Sequence, residues 1–221
     1  MYEEYFNNLP QQEMKNFFIN EIAPMGHIKS YNKGQRIHYL DSSKAYQLAI
    51  VIDGKLKICT YTKDGIEKIL FMLSPGEIFL EETLFDSRIP VTPVPMEKST
   101  IAFIPGNIIR NYINEFPQIY TFLFHSVLRK YKISIFQIND LLKRSPKSQV
   151  CSTIYRLIIQ NDSEYSPILN ITHENLANII GCSRVTVTRV LKELKDEGII
   201  DTSKQKITVI NFKKIKKYSD L

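Results

Sequence analysis

The sequence predicts an α+β chain with an N-terminal antiparallel β-roll, a long helix and a C-terminal winged helix–turn–helix. Three observations carry that expectation. Residues 28–73 alternate with period two, broken by Lys33-Gly34 and two Asp-Gly turns and closed by Pro75-Gly76, residues 117–144 recur at helical spacing, and two short helices meet across a glycine in the last third. The 221 residues, 43% of them hydrophobic, suffice for one large domain or two modest cores.

Within 1–24, Met14, Phe17, Phe18, Ile19 and Ile22 lie at helical spacing and predict a packing helix. Strands are then expected at Ile28-Lys29-Ser30-Tyr31, Arg36-Ile37-His38-Tyr39-Leu40, Leu48-Ala49-Ile50-Val51-Ile52, Leu56-Lys57-Ile58-Cys59-Thr60-Tyr61 and in 66–73. Asp53-Gly54 and Asp64-Gly65 predict hairpins, because glycine takes positive φ at such turns without a Cβ clash. Short strands at this pitch imply an antiparallel barrel or roll. The proline-spaced run 89–95 favours extended backbone, as a rigid sheet edge or as a loop that shapes a ligand site.

Pro117 suits the first turn of a long helix, and Ser145-Pro146 marks its end, a hinge and the start of the next helix. Tyr120, Phe124, Val127, Tyr131, Ile138 and Leu141 recur at steps of three, four or seven, with Leu128, Ile135 and Leu142 in a second stripe. One stripe suits pairing with a second chain and the other covering the roll. A helix buried within one chain is the alternative, and the sustained heptad favours a dimer.

After a supporting helix marked by Val150, Ile154, Leu157 and Ile158 and a polar loop at 161–167, Thr172 is placed to cap a helix that Gly181 ends. Ser183 caps the next, whose Val187, Val190, Leu191 and Leu194 form a buried stripe, leaving Arg184, Val185, Thr188 and Arg189 on the other side. Arginines and small residues at that N-terminal end are what a major-groove reader needs; an ordinary αα-hairpin is the alternative. A hairpin follows, with 202–206 as a basic tip suited to phosphate, and Lys213, Lys214, Lys216 and Lys217 extend the basic surface or solubilise the tail. Residues 145–221 carry 12 Lys/Arg against 8 Asp/Glu and so hold four of the net six positive charges, which suits a polyanion.

Ile52-Asp53-Gly54-Lys55-Leu56-Lys57-Ile58, Asp64-Gly65-Ile66-Glu67 and Leu73-Ser74-Pro75-Gly76-Glu77-Ile78-Phe79 resemble the cyclic-nucleotide-binding type of β-roll. The block from Ile180-Gly181 to Val190-Leu191 resembles the DNA-binding motif of Crp/Fnr regulators, and its Val185-Thr186-Val187-Thr188-Arg189-Val190 is similar to regulators of the CprK type, which sense halogenated aromatics. The order matches that family and the resemblance spans nearly the whole chain. It implies a division into a β-roll sensing domain (1–116), a dimerisation helix (117–144) and a winged helix–turn–helix (145–221). Double-stranded DNA, a small effector, RNA polymerase and a second copy are the implied partners. The expected DNA-binding residues are Thr172, His173, Ser183, Arg184, Val185, Thr186, Thr188 and Arg189.

In members that bind cyclic nucleotide, a Gly-Glu pair holds the ribose and an Arg-Ser or Arg-Thr pair the phosphate. Here the first pair reads Leu80-Glu81 and the second Ile89-Pro90, with Arg88 one residue early. Pro90 has no N–H for a phosphate, so cyclic nucleotide is disfavoured. The expected effector pocket comprises Glu81, Glu82 and Arg88 with Tyr131, Lys132 and Ser134; Tyr131 and Lys132, or Lys130, are suited to an aromatic or anionic ligand. Where the family often carries a glutamate that accepts a hydrogen bond from cytosine, Val185 suits a thymine methyl, which implies an AT-rich inverted repeat.

No Ser–His–Asp set, P-loop, paired-carboxylate motif or metal-ligand spacing emerges, so no enzyme, metal or cofactor is expected. The chain has no cysteine before Cys59, against an Fnr-type iron–sulfur site, and His27, His38 and His125 read as packing or surface residues. Cys59, Cys151 and Cys182 are far apart, and neither a leader nor an apolar run of about 18 residues is evident. A cytoplasmic protein with reduced thiols is expected.

Overall fold

The structure, a computed structural model, describes residues 11–38, 46–85, 87, 89–117, 119–142, 145–159 and 167–219. Expectations for Tyr39, Leu40, Arg88 and the loop residues 161–166 lie outside the described residues. One compact unit spans Pro10–Ile133 and a second includes Ser134–Leu221.

In the first unit, helix α1 (Gln11–Phe17) continues through a wider π turn, Phe18–Ile22. Met14, Phe18 and Ile22, spaced by four, are buried as the sequence predicts. Among the described residues the strands that follow are β1 (His27–Tyr31), β2 (Tyr46–Asp53), β3 (Leu56–Tyr61), β4 (Glu67–Leu73), β5 (Ile78–Phe79), β6 (Thr92–Pro95) and β7 (Ser99–Pro105). They form two antiparallel sheets, ordered β1-β7-β2-β5 and β4-β3-β6. Strands β2 and β7 of the first sheet are buried on both faces, whereas β1 at its edge is largely exposed. Leu48, Ile50, Ala102 and Ile104 join Phe18 and Ile22 in one core, while Ala49, Val51, Ile101 and Phe103 join Leu56, Ile58 and Leu73 in another. That explains the unbroken apolar run at 48–52, since a strand covered on both faces has no polar side to alternate with. Helix α2 (Gly106–Glu115) and the long helix α3 (Ile119–Leu141) add Ile109, Ile113, Ile119 and Leu123 to the first core.

Three expectations are corrected. Asp64-Gly65 does join hydrogen-bonded strands, but Asp53-Gly54 does not: β2 pairs with β5 and β7, and β3 with β4 and β6, so this turn passes the chain from one sheet to the other. Glycine is required there, because φ is +84° and a Cβ would lie 2.6 Å from the Lys98 carbonyl oxygen. Secondly, Arg36-Ile37-His38 is not a strand. The Ile37 N–H donates to the Pro93 carbonyl (3.0 Å) and Gly34 N–H to Pro95 (2.8 Å), yet neither proline has an N–H to return, so no ladder forms. Ile37 is nevertheless buried, and Pro93 and Pro95 serve as a sheet edge. Thirdly, neither predicted stripe is the buried face of the long helix: Leu128 is half-buried, and Ile135 and Leu142 are exposed. The buried residues of α3 are Ile119, Leu123, Ser126, Ile133, Gln137 and Asp140, with the half-buried Lys130 between them, and the stripe Tyr120, Phe124, Val127, Tyr131, Ile138 and Leu141 is exposed.

In the second unit, Pro146 begins helix α4 (Pro146–Ile159), which buries Val150, Ile154, Leu157 and Ile158 as expected. The end of α3 is tied to it: Ser152 Oγ donates to Asp140 Oδ1 (2.7 Å) and Gln149 Nε2 to the Asp140 carbonyl (3.2 Å). Arg156 is buried nearby, and desolvation pushes its guanidinium down while Asp140 opposes the shift. Strand β8 (Ile168–Asn170), helices α5 (His173–Ile180) and α6 (Arg184–Asp196), strands β9 (Ile200–Ser203) and β10 (Lys206–Val209) and helix α7 (Phe212–Tyr218) complete the unit. The expected hairpin β9–β10 is present and gains β8 as a third strand, in the order β8-β10-β9.

Candidate functional site

The α5–α6 pair is built by local chemistry. Thr172 Oγ1 accepts the Asn175 N–H (3.0 Å) and so caps α5, which stops at Gly181 with φ +88°. Ser183 Oγ accepts the Thr186 N–H (3.1 Å) to start α6 and lies 2.8 Å from Thr186 Oγ1. Leu176, Ala177, Ile179 and Ile180 pack with Val187, Val190, Leu191 and Leu194 in the interior. That packing leaves Arg184, Val185, Thr188 and Arg189 exposed on one face, with Thr186 half-buried beside them. Val185 is 79% exposed, so nothing within its own unit rewards an apolar side chain there. His173 is half-buried, with Nδ1 3.0 Å from Thr188 Oγ1; burial, then the Arg184 charge, push its imidazole below the ordinary value. Lys195 anchors the hairpin through Asp201 Oδ1 (2.8 Å) and donates to the Thr202 carbonyl (3.4 Å), and Lys204 is exposed at the turn. Two helix N-termini and a basic hairpin thus share one small unit, an arrangement that favours phosphate.

The second constellation lies where β5 leaves its sheet. Leu80, at the position of the expected glycine, has φ +70° and is buried. A leucine held in the left-handed region stores about 1–3 kcal/mol of strain, which persists where the surroundings over-determine it and is common at ligand clamps. The Thr83 N–H and Oγ1 both donate to its carbonyl, at 3.0 and 2.9 Å. Glu81 is buried, accepts from Ser126 Oγ (3.4 Å) and forms an ion pair with Lys130, while its Oε2 has no hydrogen-bond partner among the described residues. Lys130 Nζ also donates to the Ile78 carbonyl (2.9 Å) and lies 5.6 Å from the centre of the Phe71 ring. One residue earlier on α3, Arg129 Nη1 meets Glu77 Oε1 at 2.7 Å, and Glu77 Oε2 accepts the Ser74 N–H at 2.6 Å.

Among the expected pocket residues, Glu81 therefore sits with Lys130 and Ser126, whereas Tyr131 lies on the opposite, exposed stripe. Glu82 is half-buried and its carboxyl is pushed up, chiefly by burial. Lys132 and Ser134 are half-buried, and Arg88 lies outside the described residues. Ser126, Arg129 and Glu77 were not singled out from the sequence. The signal for Ser126 and Lys130 is the spacing 119, 123, 126, 130 and 133, which runs through polar as well as apolar residues.

Elsewhere, Cys59 is buried and its thiol is pushed up to about 12, chiefly by burial, then by Glu67. Among the described residues no three His, Cys, Asp or Glu side chains group as a metal site, and no helix is long and apolar enough to cross a membrane.

Residues 28–116 match the family described as the cyclic nucleotide-binding domain, and residues 148–218 the Crp-like helix-turn-helix domain. The cAMP-activated global transcriptional regulator CRP of Haemophilus influenzae is 29% identical over 170 residues, covering 75% of this chain and 76% of that one. The regulator of the same name from Pasteurella multocida is 29% identical over 189 residues, covering 83% and 90%. Among solved structures, a CooA mutant from Carboxydothermus hydrogenoformans superposes with a TM-score of 0.76 at 18% identity, covering 92% of this chain and 94% of that one. OCPA-complexed CprK does so at 0.67 and 20% identity, covering 92% and 93%. At these identities the two structures establish a common fold.

Proposed function

Because the chain belongs to the Crp/Fnr family of DNA-binding transcription regulators, with an effector-binding domain ahead of its helix–turn–helix, we propose that it acts as a homodimer whose α6 helices read an AT-rich inverted repeat under control of a small effector in the β-roll. The observation that carries the reading is the exposed face Arg184, Val185, Thr188 and Arg189 behind the Ser183 cap. Arg189 supplies a base or phosphate contact, Arg184 and Thr186 touch backbone or base edges, and the Val185 methyls meet a thymine methyl. Thr172, His173 and Ser183 flank the duplex at the helix starts. In this reading 1–116 senses, 117–144 dimerises and 145–221 reads DNA, in the cytoplasm and in contact with RNA polymerase.

Dimerisation is supported by the exposed apolar stripe of α3, with Phe124 63% and Ile138 56% exposed, at heptad-compatible spacing. A two-fold dimer must hold its reading helices about 34 Å apart to engage one face of a palindrome. An effector controls binding only by favouring the arrangement that meets that spacing. Cyclic nucleotide remains disfavoured: Pro90 offers no N–H, and the one retained carboxylate, Glu81, is engaged by Lys130. An aromatic or anionic effector that draws Lys130 from Glu81 fits the site better.

Sedimentation of the double variant Phe124→Glu and Ile138→Glu tests the assembly. The wild type is expected to sediment as a dimer, and the variant as a folded monomer with DNA affinity reduced at least about tenfold, since one reading head loses the second half-site. A variant that remains dimeric contradicts the role given to this stripe.

A further inference from the structure

We propose that His173 makes DNA binding by this chain proton-linked, acting through its contact with Thr188. The proposal rests on the DNA-reading assignment above and adds a titratable device to it. His173 is the first residue of α5, and its Nδ1 lies 3.0 Å from Thr188 Oγ1 on the exposed face of α6. In a neutral ring protonated on Nε2, Nδ1 only accepts, so the Thr188 hydroxyl spends its hydrogen on the ring. In the imidazolium both nitrogens donate. Nδ1–H then donates to Thr188 Oγ1, the hydroxyl hydrogen is released towards an acceptor on the duplex, and Nε2–H brings a positive charge to a backbone phosphate.

The surroundings set the direction. The exposed end of α5 presents its own amides, and Arg184 of α6 adds a positive charge. Glu174 follows on the same helix. On α4, the other helix packed against α5, Lys147 is engaged with Glu197, and Arg156 lies beside Asp140. Burial, then the Arg184 charge, hold the imidazole of the free chain below its ordinary value. A DNA phosphate at this end reverses the balance, so the ring takes up a proton from solvent as the complex forms. Affinity therefore rises as pH falls through the window between the bound and the free values. Of the four histidines, His27, His38 and His125 precede residue 145, and His173 is the one in 145–221.

The experiment is fluorescence anisotropy of the full chain with a 30-bp duplex of random sequence, a probe length of about three helical turns, in about 50 mM salt, where phosphate contacts alone support binding. Titrations run from about pH 5.5 to 8, a range that brackets the histidine transition. The wild type is expected to gain affinity on acidification by up to about tenfold per pH unit for each histidine that takes up a proton. His173→Gln abolishes that rise whatever its affinity at pH 8. Thr188→Val shifts the rise to lower pH, because the imidazolium loses the acceptor for Nδ1–H. Circular dichroism at each pH verifies that the variants are folded. A rise that survives unchanged in His173→Gln, or a wild type without pH dependence, overturns the proposal. Absence of binding at every pH overturns the DNA-reading assignment itself.

Discussion

Replacing Arg189 with alanine is expected to reduce affinity for the preferred duplex by about 30-fold to 10⁴-fold while leaving the fold intact. A well-formed arginine contact to a base edge is worth about 1–3 kcal/mol, and a two-fold dimer makes it once per half-site, so about 2–6 kcal/mol is at stake. Each 1.4 kcal/mol is a factor of about ten. Arg189 is exposed on α6, while the stability of that helix resides in Val187, Val190, Leu191 and Leu194 on its other side. Surface substitutions away from caps and cores usually alter stability by no more than about 0.5 kcal/mol. Arg184→Ala is expected to act more uniformly across sequences and to lower the salt dependence by about one counterion per half-site. Anisotropy titrations at two salt concentrations, with melting curves alongside, measure both effects. A loss below about threefold for Arg189→Ala contradicts the base or phosphate contact assigned to it.

Removing the Lys130 ammonium is expected to cost about 3–5 kcal/mol of stability, the usual penalty for stranding one half of a buried ion pair. Glu81 is 5% exposed and among the described residues its Oε2 lacks a hydrogen-bond partner, so without Lys130 the long contact from Ser126 is what the described side chains leave to it. Lys130→Met in a chain of this size should therefore melt about 6–20 °C lower, at roughly 2–4 °C per kcal/mol. Adding Glu81→Gln to Lys130→Met should recover most of the loss, because a neutral amide costs far less to bury than a carboxylate. Cyclic AMP in the same melting assay is expected to leave the wild type unchanged. An unaltered melting temperature in Lys130→Met contradicts the buried pair, and strong stabilisation by cyclic AMP contradicts the exclusion of that ligand.

The DNA-reading unit was legible because its determinants are local. Thr172, Gly181 and Ser183 act within three or four residues of where they stand, and the buried stripes of α5 and α6 are purely apolar. The roll was legible as strands but not as pairings. Asp53-Gly54 has the composition of a hairpin, yet β2 and β3 find their partners elsewhere, which is a non-local outcome. The failed strand at 36–38 follows from Pro93 and Pro95, residues more than fifty positions away that withhold the reciprocal donors. On α3 the spacing predicts two apolar stripes without deciding which is covered, and neither is the buried face. That face is hard to read because it contains Ser126 and Lys130, whose polarity suggests exposure. The left-handed Leu80 could not be anticipated, since leucine pays a steric cost there that only its surroundings enforce.

Selection of preferred duplexes from a random library by the purified chain decides whether α6 reads DNA in this way. The expected product is an inverted repeat with half-sites about one helical turn apart and A·T at the base pair facing Val185. Enrichment of a strict G·C pair at that position, or recovery of no symmetric site, would contradict it.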